Sequence, residues 1–136
     1  RITDRHRSVK FYEALGFKIT FEADFDAVVV MKNDSEVEIN LVINGVDLHN
    51  GKNILMDVPE KHPGLTHVAF RVNSIIDTLA TLEANNIVIS QGPVTFGRDG
   101  HVSVFVRDPD RNTIELRGRV EDEEEIPGLE FYDPSA

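Results

Sequence analysis

The chain has 136 residues, the length of one domain or of two small halves sharing a core, with 40% apolar and 28% charged residues, as in ordinary soluble globular proteins. A formal charge of −10 argues against nucleic acid or an anionic membrane as partner, and no apolar run is long enough to span a bilayer. With no cysteine, disulfides and thiolate ligands are excluded, so any metal must be held by imidazole and carboxylate.

Arg1-Ile2-Thr3 reads as the end of a strand whose start is missing, so we expect the N-terminus to be incomplete. Asp4 is a helix N-cap, Ser8, Phe11, Tyr12 and Leu15 follow at helical spacing, and Gly16 is the stop. Strands are predicted at Phe17–Glu22, Ala27–Met31 and Val37–Ile43, with a turn at Asn33-Asp34-Ser35. Residues 44–64, with Gly45, Asn50-Gly51 and Pro63-Gly64, read as a connecting loop. Gly64–Val72 is the next strand. Ser74 and Asp77 then open a helix along Ile75, Leu79 and Leu82, which Asn85-Asn86 ends. Strands follow at Ile87–Ser90, His101–Val106 and Asn112–Arg117, with a loop expected over 91–100 and a turn at Asp108-Pro109-Asp110.

The two halves share one order of elements. A shift of 70 residues pairs Ile2 with Val72, Tyr12 with Leu82 and Glu13-Ala14 with Glu83-Ala84. A shift of 75 pairs Ile39-Asn40-Leu41 with Ile114-Glu115-Leu116. This predicts an α+β fold built from a tandem βαβββ repeat.

Within that repeat two strands carry one chemically distinct side chain each. His67 sits in an otherwise apolar run, which alone suits a hydrogen-bonded structural histidine as well as a ligand. Glu115 lies between Ile114 and Leu116, and a buried unpaired carboxylate costs several kcal/mol. It must face solvent, a cation or a metal, and we expect it to converge with His67 on a metal ion. His101 shares a strand face with Ser103 and Phe105, as a substrate contact or as an exposed strand end. Arg98, in FGRDG, is a candidate contact for an anionic substrate group or a plain surface arginine. His6, His49 and His62 read as exposed, Phe11 and Tyr12 as core.

The stretches TDRHRSVKFYEALGF (3–17), HVAFRV (67–72) and VRDPDRNTIEL (106–116) together resemble the vicinal oxygen chelate superfamily, which includes glyoxalase I, the bleomycin and fosfomycin resistance proteins and the extradiol dioxygenases. The resemblance implies a single glyoxalase-like domain over residues 1–118, its modules forming a curled, cup-shaped sheet around a divalent metal. Module one would span 1–44, a linker 45–63 and module two 64–118, with an acidic tail at 119–136. His67 and Glu115 match the metal positions of the second module. Asn40 stands at the first module's carboxylate position, where it is left as a substrate contact, and the first histidine would fall before Arg1. The implied function is a metal-dependent lyase, transferase or dioxygenase acting on a small molecule with metal-chelating oxygens, using Zn, Ni, Mn or Fe. The alternative is a metal-free small-molecule-binding protein of the bleomycin-resistance type. A cytoplasmic homodimer is expected on either reading. Most of the net negative charge lies after Val120, in Glu121–Glu125 with Glu130 and Asp133, which predicts a solvated tail whose removal leaves the fold untouched.

Overall fold

In a computed structural model, which describes residues 1–97, 100–120 and 125–135, the chain divides into two units. One is Arg1–Pro63 with Asp108–Arg111, the other Gly64–Arg107 with Asn112–Ala136. In the first, helix α1 (Arg5–Ala14) starts after Asp4, whose carboxylate accepts the Arg7 N–H at 2.9 Å. A cap of this kind satisfies one of the N–H groups a helix start leaves without a partner and contributes about 1 kcal/mol. The helix stops where Gly16 adopts φ +95°, a conformation that costs glycine nothing. It buries Ser8, Val9, Phe11 and Tyr12.

Strands β1 (Lys18–Phe21), β2 (Val28–Lys32) and β3 (Glu38–Val42) follow as an antiparallel sheet in that order. Asn33 makes the turn between β2 and β3, its Oδ1 accepting the Ser35 and Val37 N–H groups. Ile2 donates its N–H to Val42 O at 2.8 Å and accepts from Gly45 N at 3.0 Å. The strand end read from Arg1-Ile2-Thr3 thus lies along the β3 side. The turn at 108–111 belongs to this unit. Tyr12 OH donates to Asp108 Oδ2 at 2.8 Å, and burial followed by the Asp108 charge pushes the phenol far above its ordinary pKa, so it stays a donor. Thr3 Oγ1 donates to Asp110 Oδ1 at 2.6 Å, and Arg111 holds Asp57 through two hydrogen bonds of 2.6 and 3.0 Å.

The second unit carries β4 (His67–Arg71), helix α2 (Ile75–Ala84), β5 (Ile89–Thr95), β6 (His101–Arg107), β7 (Thr113–Arg119) and β8 (Glu130–Phe131). The sheet order is β4-β7-β6-β5-β8, with β4 parallel to β7 and β8 parallel to β5. Helix α2 is capped by Ser74 Oγ, which accepts the Asp77 N–H at 3.0 Å. It lies on β7 so closely that a Cβ at Gly118 would stand 2.7 Å from Ile75 Cγ1. The core on the helix side is Ile75, Leu82, Val102, Val104, Val106, Ile114 and Leu116, each at most 3% exposed. Among the described residues no helix is long and apolar enough to cross a membrane.

Two elements depart from the sequence expectation. β5 continues to Thr95 through the stretch expected to be loop, because a register irregularity between Gln91 and Val94 absorbs Gly92-Pro93 without ending the pairing. After the acidic run, of which 121–124 lie outside the described residues, the chain returns to the sheet instead of remaining in solvent. Ile126 is 7% exposed, β8 pairs with β5, and Tyr132 N–H donates to Thr95 O at 2.9 Å. Apolar burial outweighs the charge run there.

Candidate functional site

Side chains alternate between the faces of a strand, and register partners share a face. The second unit's sheet therefore divides into a helix-covered apolar side and a side rich in polar groups. Glu115 is opposite Ala69 on β4 and Phe105 on β6, placing it on the polar side. His67 and Thr113 are register partners on that same side.

The structure brings the two metal candidates of the sequence together. His67 Nε2 stands 3.2 Å from Glu115 Oε2, on neighbouring parallel strands. Glu115 is 6% exposed, so its carboxylate needs partners. Ser103 Oγ donates to Oε1 at 2.6 Å, and Arg117 Nη1 approaches the same oxygen at 3.7 Å. Oε1 is thus occupied by protein groups while Oε2 is turned toward the imidazole. The imidazole rests edge-on against Phe105, with ring centroids 6.0 Å apart, and its Nδ1 is 3.3 Å from Thr66 Oγ1. Thr113 Oγ1, buried beside this pair, has no hydrogen-bond partner among the described residues.

These residues fit part of a divalent metal centre. Two N/O donors each about 2.1 Å from one ion, at tetrahedral or octahedral angles, stand about 3.0–3.4 Å apart. The His67–Glu115 separation of 3.2 Å lies in that range. If Nδ1–H donates to Thr66, the Nε2 lone pair is directed to the Glu115 side, the orientation that second-sphere hydrogen bonds give ligating histidines. Among the described residues no group of three or more His, Asp or Glu converges beside this pair.

The other candidates separate. His101 is on the polar side, opposite Arg119 on β7, and lines a cavity of about 470 Å³ with Arg71 and Arg117. Asn40 belongs to the first unit, on β3 opposite Val30, and is exposed. Arg98 lies outside the described residues. His6, His49 and His62 are exposed, and Phe11 and Tyr12 are buried, as the sequence suggests. Asp108 and Asp110 form the expected turn, with Arg111 N–H bonded to Asp108 O at 2.8 Å. Arg117 and Thr113 were missed. The signal was available, since both sit two residues from Glu115 and period 2 places them on its face.

The sequence model of the Glyoxalase/Bleomycin resistance protein/Dioxygenase superfamily matches residues 1–116. The chain belongs to this family. Among solved structures, the glyoxalase family protein from Enterococcus faecalis is 26% identical with a TM-score of 0.65, covering 85% of this chain and 89% of that one. A glyoxalase/dioxygenase from Nostoc punctiforme is 21% identical with a TM-score of 0.65, covering 87% and 85%. An antibiotic binding protein from Streptomyces is 18% identical with a TM-score of 0.61, covering 87% and 88%. The latter two likenesses establish the shared fold. No curated protein matches the chain.

Proposed function

We propose that the polar face of the second sheet is a small-molecule site in which His67 and Glu115 hold a divalent metal, and that the protein is a metal-dependent enzyme of the glyoxalase type. The observation that carries this reading is the approach of His67 Nε2 to Glu115 Oε2 at 3.2 Å on the polar face of the sheet. A bound metal would act as a Lewis acid on paired substrate oxygens and hold them for reaction. The chain's own groups have separable tasks. Ser103 fixes Oε1 of Glu115 and so sets the carboxylate plane. Thr66 and Phe105 fix the imidazole from its two sides. Thr113 offers an uncommitted hydroxyl beside the pair, suited to a ligand oxygen or a water. Asn40, a neutral amide where the resemblance implies a carboxylate, cannot serve as a base, so proton transfer from that position is not part of the proposal.

The binding-protein reading keeps one specific observation in its favour. Ser103 and Arg117 already compensate Glu115 in the protein itself, so the carboxylate is tolerated without a cation from outside. Metal titration of the protein and of Glu115→Gln separates the two readings. On the enzyme reading the wild type takes up a divalent metal stoichiometrically, and the variant, isosteric but uncharged, stays folded and binds at least about tenfold more weakly, as loss of a charge-assisted contact requires. A wild type that takes up none of Zn, Ni, Mn or Fe defeats the enzyme reading in favour of the binding protein.

A further inference from the structure

The same sheet face collects positive charge at one end. Arg71 on β4 is the register partner of Arg117 on β7, and Arg119 on β7 is the partner of His101 on β6. Three adjacent strands thus bring three guanidinium groups and an imidazole to one end of one face, in a chain whose formal charge is −10. These side chains line the 470 Å³ cavity together with Val72, Asn73 and Gly118, and among the described residues no carboxylate belongs to that lining. The volume falls in the range of small-molecule sites and exceeds what a bare inorganic anion needs.

We propose that this cavity binds the oxyanion group of a small organic ligand, a carboxylate or a phosphoryl group, whose body extends along the sheet face. Guanidinium groups present paired N–H donors in a plane that matches such oxygens two at a time, which lysine does not. Asn73 adds a neutral donor. Arg117 joins the cavity to the pair described above, since its Nη1 lies 3.7 Å from Glu115 Oε1. An anion seated there would share Arg117 with Glu115 and would be held at the edge of the His67–Glu115 site. The inference deepens the proposed function by assigning the charge of its ligand, and it rests on that reading only for the neighbouring chemistry.

The test is a thermal-shift titration of the full chain at constant ionic strength, with inorganic phosphate in one arm and acetate in the other. The expected result is a saturable rise in melting temperature with at least one probe, and the stronger arm tells which oxyanion the cavity prefers. Arg71→Gln and Arg117→Gln should each weaken that response by about tenfold or more, the loss expected for a charged hydrogen-bonding partner. Arg111→Gln, at a residue that lies with its partner Asp57 in the first unit, should keep the response in full. Glu115→Gln should also keep it, since removing a neighbouring negative charge does not disfavour an anion. A Glu115→Gln variant that loses metal but retains the anion response separates the two proposals. The inference is overturned if neither probe gives a saturable shift, or if Arg71→Gln and Arg117→Gln respond as the wild type does.

Discussion

Helices α1 and α2 each span ten residues, and each begins after a capping side chain, Asp4 in one and Ser74 in the other. Each ends on a left-handed residue, Gly16 at φ +95° and Asn86 at φ +55°. The strand ends agree as closely. Ile2 N–H bonds Val42 O at 2.8 Å, and Val72 N–H bonds Arg117 O at 2.9 Å, so residues 70 and 75 apart make the same contact in the two units. Where the units part company is in what the shared backbone carries. The third strand after the helix presents Asn40, exposed, in one unit; in the other it presents Glu115, buried between β4 and β6. The lesson is that a repeated backbone fixes where a polar side chain will stand, while flanking strands decide whether it is desolvated enough to do chemistry. Glu115 has His67, Ser103 and Arg117 around it because three strands meet there.

The largest test of that comparison is at the helix–sheet contact. Leu82 is 1% exposed, and its counterpart in the repeat, Tyr12, is buried but spends its hydroxyl on Asp108. Leu82→Ala should cost about 2–5 kcal/mol, the sum of lost transfer energy and an unfilled cavity, read by denaturant unfolding. A loss under about 1 kcal/mol would mean that α2 is not the cover of this sheet.

The second test concerns the outer strand. β5 is flanked by β8 where β1 has no described counterpart, and Ile126 and the Phe96–Tyr132 ring contact at 5.0 Å accompany that pairing. Deleting residues 126–136, with the acidic run left in place, should cost about 1.5–3 kcal/mol of apolar burial and lower the melting temperature by several degrees. An unchanged melting temperature would restore the solvated tail that the charge run suggested.

That case shows which features could be read in the sequence. The helices were legible because Asp4, Ser74, Gly16 and Asn86 each have a backbone reason to be where they are. His67 and Glu115 were legible because a polar group isolated in an apolar strand must be compensated. β8 was not, since two residues after five acids give no period to detect. The far half of β5 was hidden by Gly92-Pro93, which reads as a strand break unless an irregularity takes it up. The cluster of arginines was overlooked for a different reason. Nothing in the sequence pattern singles out Arg71, Arg117 and Arg119 as a group, and only the register aligns them.

The smallest effect is expected where the two units differ most in chemistry. Asn40→Glu places in the first unit the carboxylate that the second unit carries at Glu115. Asn40 is exposed on β3 and faces Val30 across the ladder, so an added charge there stays hydrated and displaces no packed group. Substitutions of this kind fall within about 0.5 kcal/mol, so the unfolding midpoint of Asn40→Glu should match the wild type. Glu115→Ala differs in kind. It removes the acceptor of Ser103 Oγ and the neighbour of Arg117 at a position only 6% exposed, at a cost of about 1–3 kcal/mol. Equal costs for the two variants would mean that burial of the third strand, and not the identity of its polar residue, is the same in both units after all. A near-zero cost for Asn40→Glu beside a measurable one for Glu115→Ala would locate the difference in the strands around Glu115, where β4 supplies the histidine and β6 the serine.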